Sequence, residues 1–241
     1  MTKENTIYGI RAIIEAIDSG KSIEKIYVKH GLLGELFNEL RKTAQRYDIP
    51  MQYVPGEKIN KLVQGNHQGV VAVISPVEFH DITGIVNKRV AERKNSFVIV
   101  LDGITDVRNF GAIARTAESA GVDAIVIPEK GSVPVNADAI KTSAGALFRI
   151  PVCKAAKPWY VLKFLKELNF TIIGASEKAE VDYRSVDYSG NIALIFGSEE
   201  KGISPQLLKM CDKVIAIPLK GETASLNVSV AAGILMFEAI K

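Results

Sequence analysis

The stretch IPLKGETASLNVSVAAGILMFEA, Ile217 to Ala239, joins a short β-branched run to a helix through one polar loop. The residues leading into it, KVIAIPL, have the character of a buried strand. Lys220 to Asn227 then gathers a Gly, a Glu, a Thr, small residues and an Asn into one loop, and a Ser or Asn entering a helix can cap its first free N–H groups. The helix that follows, with Val228, Ala231, Ala232, Ile234, Leu235 and Phe237, is too apolar to lie on a wet surface. A polar loop between two buried elements marks the carboxyl end of a strand in an open α/β sheet, where sites form. A capped core helix explains the same residues equally well.

Working outward, residues 96–241 repeat this rhythm. Phe97–Leu101, Ala124–Ile127, Phe170–Ala175, Ile192–Phe196 and Val214–Ile217 are short β-rich runs separated by helical stretches. The alternation predicts a mainly parallel sheet with helices on both faces. Residues 1–76 form a smaller α/β pattern. It has an amphipathic helix over roughly Ile7 to Asp18, a strand at Lys25–Lys29, a helix over Leu32–Tyr47 and a strand at Met51–Val54. A brief helix at Glu57–Leu62 and a strand at Val70–Ile74 complete it. Residues 77–95 turn charged and partly patternless, as a linker or short connecting helix does.

Composition narrows the class. At 241 residues, 47% hydrophobic and 24% charged, the chain reads as an ordinary globular protein. It holds no apolar run of membrane-spanning length, and its start lacks the apolar core of a secretory signal. Cys153 and Cys211 stand far apart without CxxC or a His cluster, which predicts reduced thiols, a cytoplasmic setting and no metal site. The net charge of +3 comes from the front: residues 1–76 carry ten Lys/Arg against eight Asp/Glu, and residues 95–241 carry sixteen against sixteen. That permits nucleic-acid binding without requiring it.

Three strand-to-loop transitions in the second half are unusually polar. In LDGITDVRNFGAIARTAESAG, Asn109 can cap the next helix, and Arg115, two turns in, can pair with Glu118. In LIFGSEEKGIS a buried strand runs into Gly197–Gly202. The outline Gly-x4-Gly there lacks the following Lys of a phosphate loop, and its carboxylates would repel a triphosphate. No GxGxxG or GxSxG occurs, and His30, His67 and His80 have neither ligand nor triad spacing.

Together, NxGxxxR at Asn109–Arg115, FGSEExG at Phe196–Gly202 and IPLxGxxxSLNVSVAxGI from Ile217 resemble the SpoU/TrmH family of RNA ribose 2′-O-methyltransferases. The front segments YGIRAIIEAI and NHQGVVA are similar to the ribosomal-protein-like RNA-binding domain of the branch that methylates a guanosine ribose in large-subunit ribosomal RNA. The resemblance implies an RNA-binding domain over 1–76, a linker over 77–95 and a trefoil-knotted methyltransferase domain over 96–241, the last forming a homodimer. The knot comes from the resemblance alone, since chain-topology rules argue against it.

The resemblance further implies S-adenosylmethionine as cofactor, held by Gly197, Ile217 and Leu226, with the turn after Ile172–Ala175 nearby. It assigns the chemistry to Arg115, with Asn109, Glu199, Ser225 and Asn227 as the other polar positions. A guanidinium stays charged in proteins, so Arg115 suits a fixed cation beside the attacking hydroxyl and a phosphate better than a base. Asn109 and Asn227 would position ribose and phosphate, Glu199 would orient Arg115 or a donor, and Ser225 would shape its loop. The alternatives are the same chemistry on transfer RNA or another ribosomal nucleotide, and a non-catalytic RNA-binding protein of ribosome assembly.

Overall fold

The computed structural model describes residues 6–241, so the first five residues of the expected 1–76 domain, where a secretory signal would begin, lie outside the described residues. The chain divides into two compact units between Glu78 and Phe79.

The first unit contains β1 (Thr6–Tyr8), α1 (Ile10–Asp18), β2 (Ile23–Lys29) and α2 (Glu35–Arg46), followed by β3 (Met51–Val54), α3 (Gly56–Leu62) and β4 (Val70–Ile74). Its sheet runs β1-β4-β2-β3, with β2 and β3 parallel and β4 antiparallel to both neighbours. Ile13, Leu40 and Ala44 pack with Ile26 and Ala72 on one face, while Ile59 and Val63 of the other face meet Tyr27 and Val71. The helix expected from Ile7 starts three residues later. Ile7 instead pairs with Ala72 in the sheet, and Gly9 at φ 90 turns the chain between strand and helix, a conformation costly for any residue with a Cβ. Helical spacing of the isoleucines hid this short edge strand.

The second unit begins with α4 (Ile82–Ala91), within the stretch expected as a linker. Its Ile82 and Val86 are buried against Val98 and Val126. There follow β5 (Phe97–Asp102), α5 (Val107–Ser119), β6 (Ala124–Pro128), α6 (Ala137–Thr142), β7 (Val152–Ala155) and α7 (Pro158–Glu167). The unit is completed by β8 (Phe170–Ala175), β9 (Val181–Asp182), β10 (Asn191–Gly197), α8 (Pro205–Leu208), β11 (Lys213–Ala216) and α9 (Val228–Ala239). The order is β7-β6-β5-β10-β8-β11-β9, and every adjacent pair is parallel. The expected α/β architecture is therefore present, with a parallel sheet and a smaller N-terminal unit. Sequence patterning missed β7 and β9 because four residues interrupted by Lys154, and a two-residue strand, carry no periodicity.

Successive residues of β5 (Val98, Ile99, Val100, Leu101) are all buried, as expected of a strand covered on both faces. α9 packs on α5 and β10. Gly111 lets α5 approach α6, since a Cβ there would lie 2.0 Å from Thr142 Oγ1 and 2.9 Å from the Ser143 nitrogen. Among the described residues, no helix is long and apolar enough to cross a membrane, and no group of three His, Cys, Asp or Glu could hold a metal ion.

Candidate active site

In a parallel sheet all carboxyl ends lie along one edge, and the polar loops after β5, β10 and β11 meet there. Asp106 starts α5: its carboxylate accepts from the Arg108 and Asn109 backbone nitrogens, which holds its pKa below the usual carboxylate range. That corrects the expectation of Asn109 as the cap. Asn109 stands in the first turn with its side chain free to face the loops. The pairing of Arg115 with Glu118 that helical spacing allows is not the one formed: Glu118 Oε1 accepts from Arg149 Nε at 2.7 Å.

After β10 the chain folds back on itself. Ser198 and Gly202 exchange backbone hydrogen bonds of 3.2 and 2.8 Å, and a Cβ on Gly197 would lie 2.0 Å from the Gly202 carbonyl carbon. Glycine is required at 197 by the loop's own backbone, a reason the motif alone did not disclose. This fold-back presents Glu199. Ser204 N donates to Asp102 Oδ2 at 2.6 Å and ties the end of the loop to β5. Asp102 was not singled out in the sequence; its place at the last residue of a buried strand was the available signal.

Asn227 caps α9 as expected, its Oδ1 accepting from the Ser229 nitrogen at 2.9 Å. Its Nδ2 donates to Asn109 Oδ1 at 3.0 Å and to Glu199 Oε1 at 2.9 Å, and Asn109 Nδ2 donates to the same Glu199 oxygen at 2.9 Å. Residues 109, 199 and 227, far apart in sequence, thus form a closed triangle. Glu199 Oε1 is occupied by two amides, which fixes the carboxylate and leaves Oε2 to face a ligand.

Two cavities flank this triangle. The first, about 350 Å³, is walled by Ile215, Ile217, Leu219, Leu226 and Leu235, with Gly197, Ser225 and Asn227 at its polar side and Glu177 at its margin. The second, about 390 Å³, is bounded by Gly103–Asp106, Asn109, Gly131 and Glu200–Lys201. Ser198, Glu199 and Val228 belong to both walls. The first suits S-adenosylmethionine. Its size falls in the range of small-ligand sites, aliphatic side chains can sandwich a purine, and the backbone from Ile217 to Leu226 lies outside helix and strand, where its amide and carbonyl groups can meet a ligand. With no cationic side chain in its lining, it suits a ligand without phosphate.

The structure brings together seven of the expected site residues: Asn109, Glu199, Ser225, Asn227, Gly197, Ile217 and Leu226. Arg115 stands apart. It lies exposed on α5, about a third of a turn around the axis from Asn109, and among the described residues those lining the two cavities do not include it.

Comparison with known proteins shows the family and the fold. Residues 96–237 match the model of the SpoU rRNA Methylase family, and residues 6–80 match that of the RNA 2′-O ribose methyltransferase substrate-binding domain. A Staphylococcus saprophyticus protein named for the TrmH family of tRNA/rRNA methyltransferases is 37% identical over 239 residues, covering 99% of this chain and 96% of the relative. A Staphylococcus epidermidis protein of the same name is 36% identical over 232 residues, covering 96% and 93%. Among solved structures, the SpoU methyltransferase AviRb from Streptomyces viridochromogenes, in complex with AdoMet, shares the fold at TM-score 0.62 and 22% identity, covering 98% of this chain and 88% of that one. An AdoMet-bound rRNA methyltransferase from Sinorhizobium meliloti does so at TM-score 0.60 and 23% identity, covering 98% and 86%.

Proposed function

Because the chain belongs to the SpoU family of S-adenosylmethionine-dependent RNA 2′-O-methyltransferases, we propose that its substrate is a guanosine ribose in large-subunit ribosomal RNA. The observation that carries a ribose-methylating site is the triangle of Asn109, Glu199 and Asn227 at the wall shared by two cavities. The apolar cavity takes the cofactor and the polar one the nucleotide, so the reacting hydroxyl meets the methyl group beside Glu199. Support for ribosomal RNA is the resemblance of the front segments to the RNA-binding domain of the branch that methylates it, together with the match of residues 6–80 to a substrate-binding domain. The work would be done in the cytoplasm, where such RNA and unpaired thiols both occur.

The cofactor, when bound, supplies a methyl group on a positively charged sulfur, so that transfer leaves a neutral thioether. The chain's own residues must position the 2′-hydroxyl and ease the loss of its proton. Glu199 Oε2 accepts the hydroxyl hydrogen bond, and the two asparagine amides hold that carboxylate still and prevent it from turning away. Ser225 shapes the loop between the cavity and α9. Arg115, outside both cavities of its own subunit, would serve as a fixed cation for the developing alkoxide and a neighbouring phosphate once RNA and the partner subunit complete the site. The proton leaves to phosphate or solvent.

Val230 and Phe237 of α9 are about half exposed on an otherwise apolar helix, which supports a homodimer through this unit. The trefoil knot is part of the same reading: α9 returns to pack against α5 after the chain has passed through β8, β10 and β11.

The test is tritiated methyl transfer from S-adenosylmethionine to unmodified large-subunit ribosomal RNA and to bulk transfer RNA, with the acceptor mapped by 2′-O-methyl-sensitive primer extension. Label at one ribosomal guanosine ribose, lost in Arg115→Ala, is the expected result. Label on transfer RNA alone would overturn the substrate and keep the chemistry. In mixtures of Arg115→Ala with Asn227→Ala protein, recovered activity would place Arg115 across the dimer, and none would keep it in its own subunit.

A further inference from the structure

The polar carboxyl edge of the seven-stranded sheet continues past the second cavity. The loop after β6 closes onto that cavity through Gly131, and Val133 N donates to the Ile104 carbonyl at 3.0 Å. On its other side the same loop is tied to the end of β7, where Glu129 N donates to the Ala155 carbonyl at 3.0 Å. Two residues beyond Ala155, Lys157 precedes α7, whose first turn carries Trp159 and Tyr160. Their rings stack with centroids 3.7 Å apart.

The two aromatics have different surroundings. Trp159 packs against the core beside Leu162 and Leu165, whereas Tyr160 is 54% exposed. The tryptophan anchors a ring that the tyrosine presents to solvent. Exposed Lys157 places its Nζ 5.8 Å from the Tyr160 ring centroid, and Lys130 is exposed on the adjoining loop. Across residues 128–133 and 154–160, Lys130, Lys154 and Lys157 stand against one carboxylate, Glu129. A presented aromatic ring beside Lys157, with Lys130 on the adjoining loop, suits a π-faced anion better than an apolar protein surface.

We infer that Tyr160, Lys157 and Lys130 form a platform for a nucleotide flanking the one that is methylated. Its occupant is single-stranded RNA continuous with the nucleotide in the second cavity. A base stacks on Tyr160 while the lysines face the adjoining phosphates. β5 and β7 are two strand spacings apart, roughly 10 Å, which is within reach of neighbouring nucleotides of one strand. The inference rests on the proposed RNA ribose methylation and adds a second grip on the same RNA.

The test uses the full chain, a mixed-sequence single-stranded RNA oligonucleotide for binding, and the ribosomal transcript for methyl transfer. Tyr160→Ala should weaken RNA binding about tenfold and raise KM with kcat and cofactor affinity unchanged, and Tyr160→Phe should restore binding. Lys157→Ala should lessen the slope of log affinity against log salt by about 0.7. Wild-type RNA affinity in Tyr160→Ala would overturn the platform, as would a loss shared by cofactor binding or thermal stability. If the wild-type protein binds RNA, the variants show the losses in binding and salt slope, and no RNA accepts methyl, the platform stands and the methylation reading fails.

Discussion

The two edges of the seven-stranded sheet use the same polar residue types for opposite ends. At the amino edge three side chains each cap a strand's backbone, although Asp123 also pairs with Arg89 and Asp212 with Lys166. Asn191 Oδ1 accepts from Ser96 N at 2.9 Å, Asp123 Oδ2 from Phe97 N at 2.8 Å, and Asp212 Oδ2 from Ile172 N at 2.8 Å. At the carboxyl edge Asn109 and Glu199 bond to side chains, and Asn227 divides itself between the α9 cap and the triangle. The first arrangement satisfies buried main-chain donors and contributes stability. The second fixes a carboxylate between two open cavities, where its remaining oxygen can meet a ligand. An asparagine is assigned to structure or to chemistry by what its amide bonds to, and the residue type does not distinguish them.

The largest expected effect removes the frame that the carboxyl edge depends on. Gly197→Ala forces a methyl group into the Gly202 backbone, and a loss of roughly 3 kcal/mol or more, or failure to fold, should appear in denaturant titration. A variant with wild-type stability would show that the fold-back loop is adaptable. Next, Glu199→Ala should reduce methyl transfer about a hundredfold or more while its thermal midpoint stays near wild type. Retained activity would break the contrast between the edges at its centre.

The amino edge should behave in reverse. Asn191→Ala leaves the Ser96 nitrogen without its acceptor and should cost about 1–3 kcal/mol, with methyl transfer per folded molecule unchanged. Asp212 gives a smaller effect that depends on pH. Desolvation alone would raise its pKa, but the Lys166 ammonium and the Ile172 N–H outweigh it and the net direction is down. Its contribution is therefore fully present above the ordinary carboxylate value of 3.8 and is lost as pH falls through the lowered folded value. Asp212→Asn should flatten the acid limb of a stability-against-pH curve, and an unchanged limb would remove Asp212 from the account. Smallest of all, burial pushes the Cys153 thiol up to about 12. Iodoacetamide at pH 8 should leave it unmodified in native protein and label it on unfolding, whereas rapid native labelling would show that the β7 edge opens.

Much of the candidate site is legible in the sequence. The resemblance carried by the three motifs implied Asn109, Glu199, Ser225 and Asn227, and the buried runs around them placed the loops at strand ends. Other features could not be seen in one dimension. The capping role sits on Asp106 and not on Asn109, a shift of three residues that spacing rules do not resolve. Glu118 turns to Arg149, thirty-one residues away, in preference to the helical neighbour at 115. Glycine at 197 answers to a backbone five residues on that only the folded loop brings close.

By itself the sequence determined the parallel α/β class and the smaller front unit, which follow from local periodicity, while its three motifs carried the resemblance to the family and, through that resemblance, pointed to the polar trio. Only the tertiary structure decided that residues 109, 199 and 227 close into one hydrogen-bonded triangle, that two cavities share its wall, and that Arg115 stands outside both. The physical reason is that strand order, β5 beside β10 and β10 beside β8, is set by which buried faces pack together over the whole chain. That order determines which loops become neighbours.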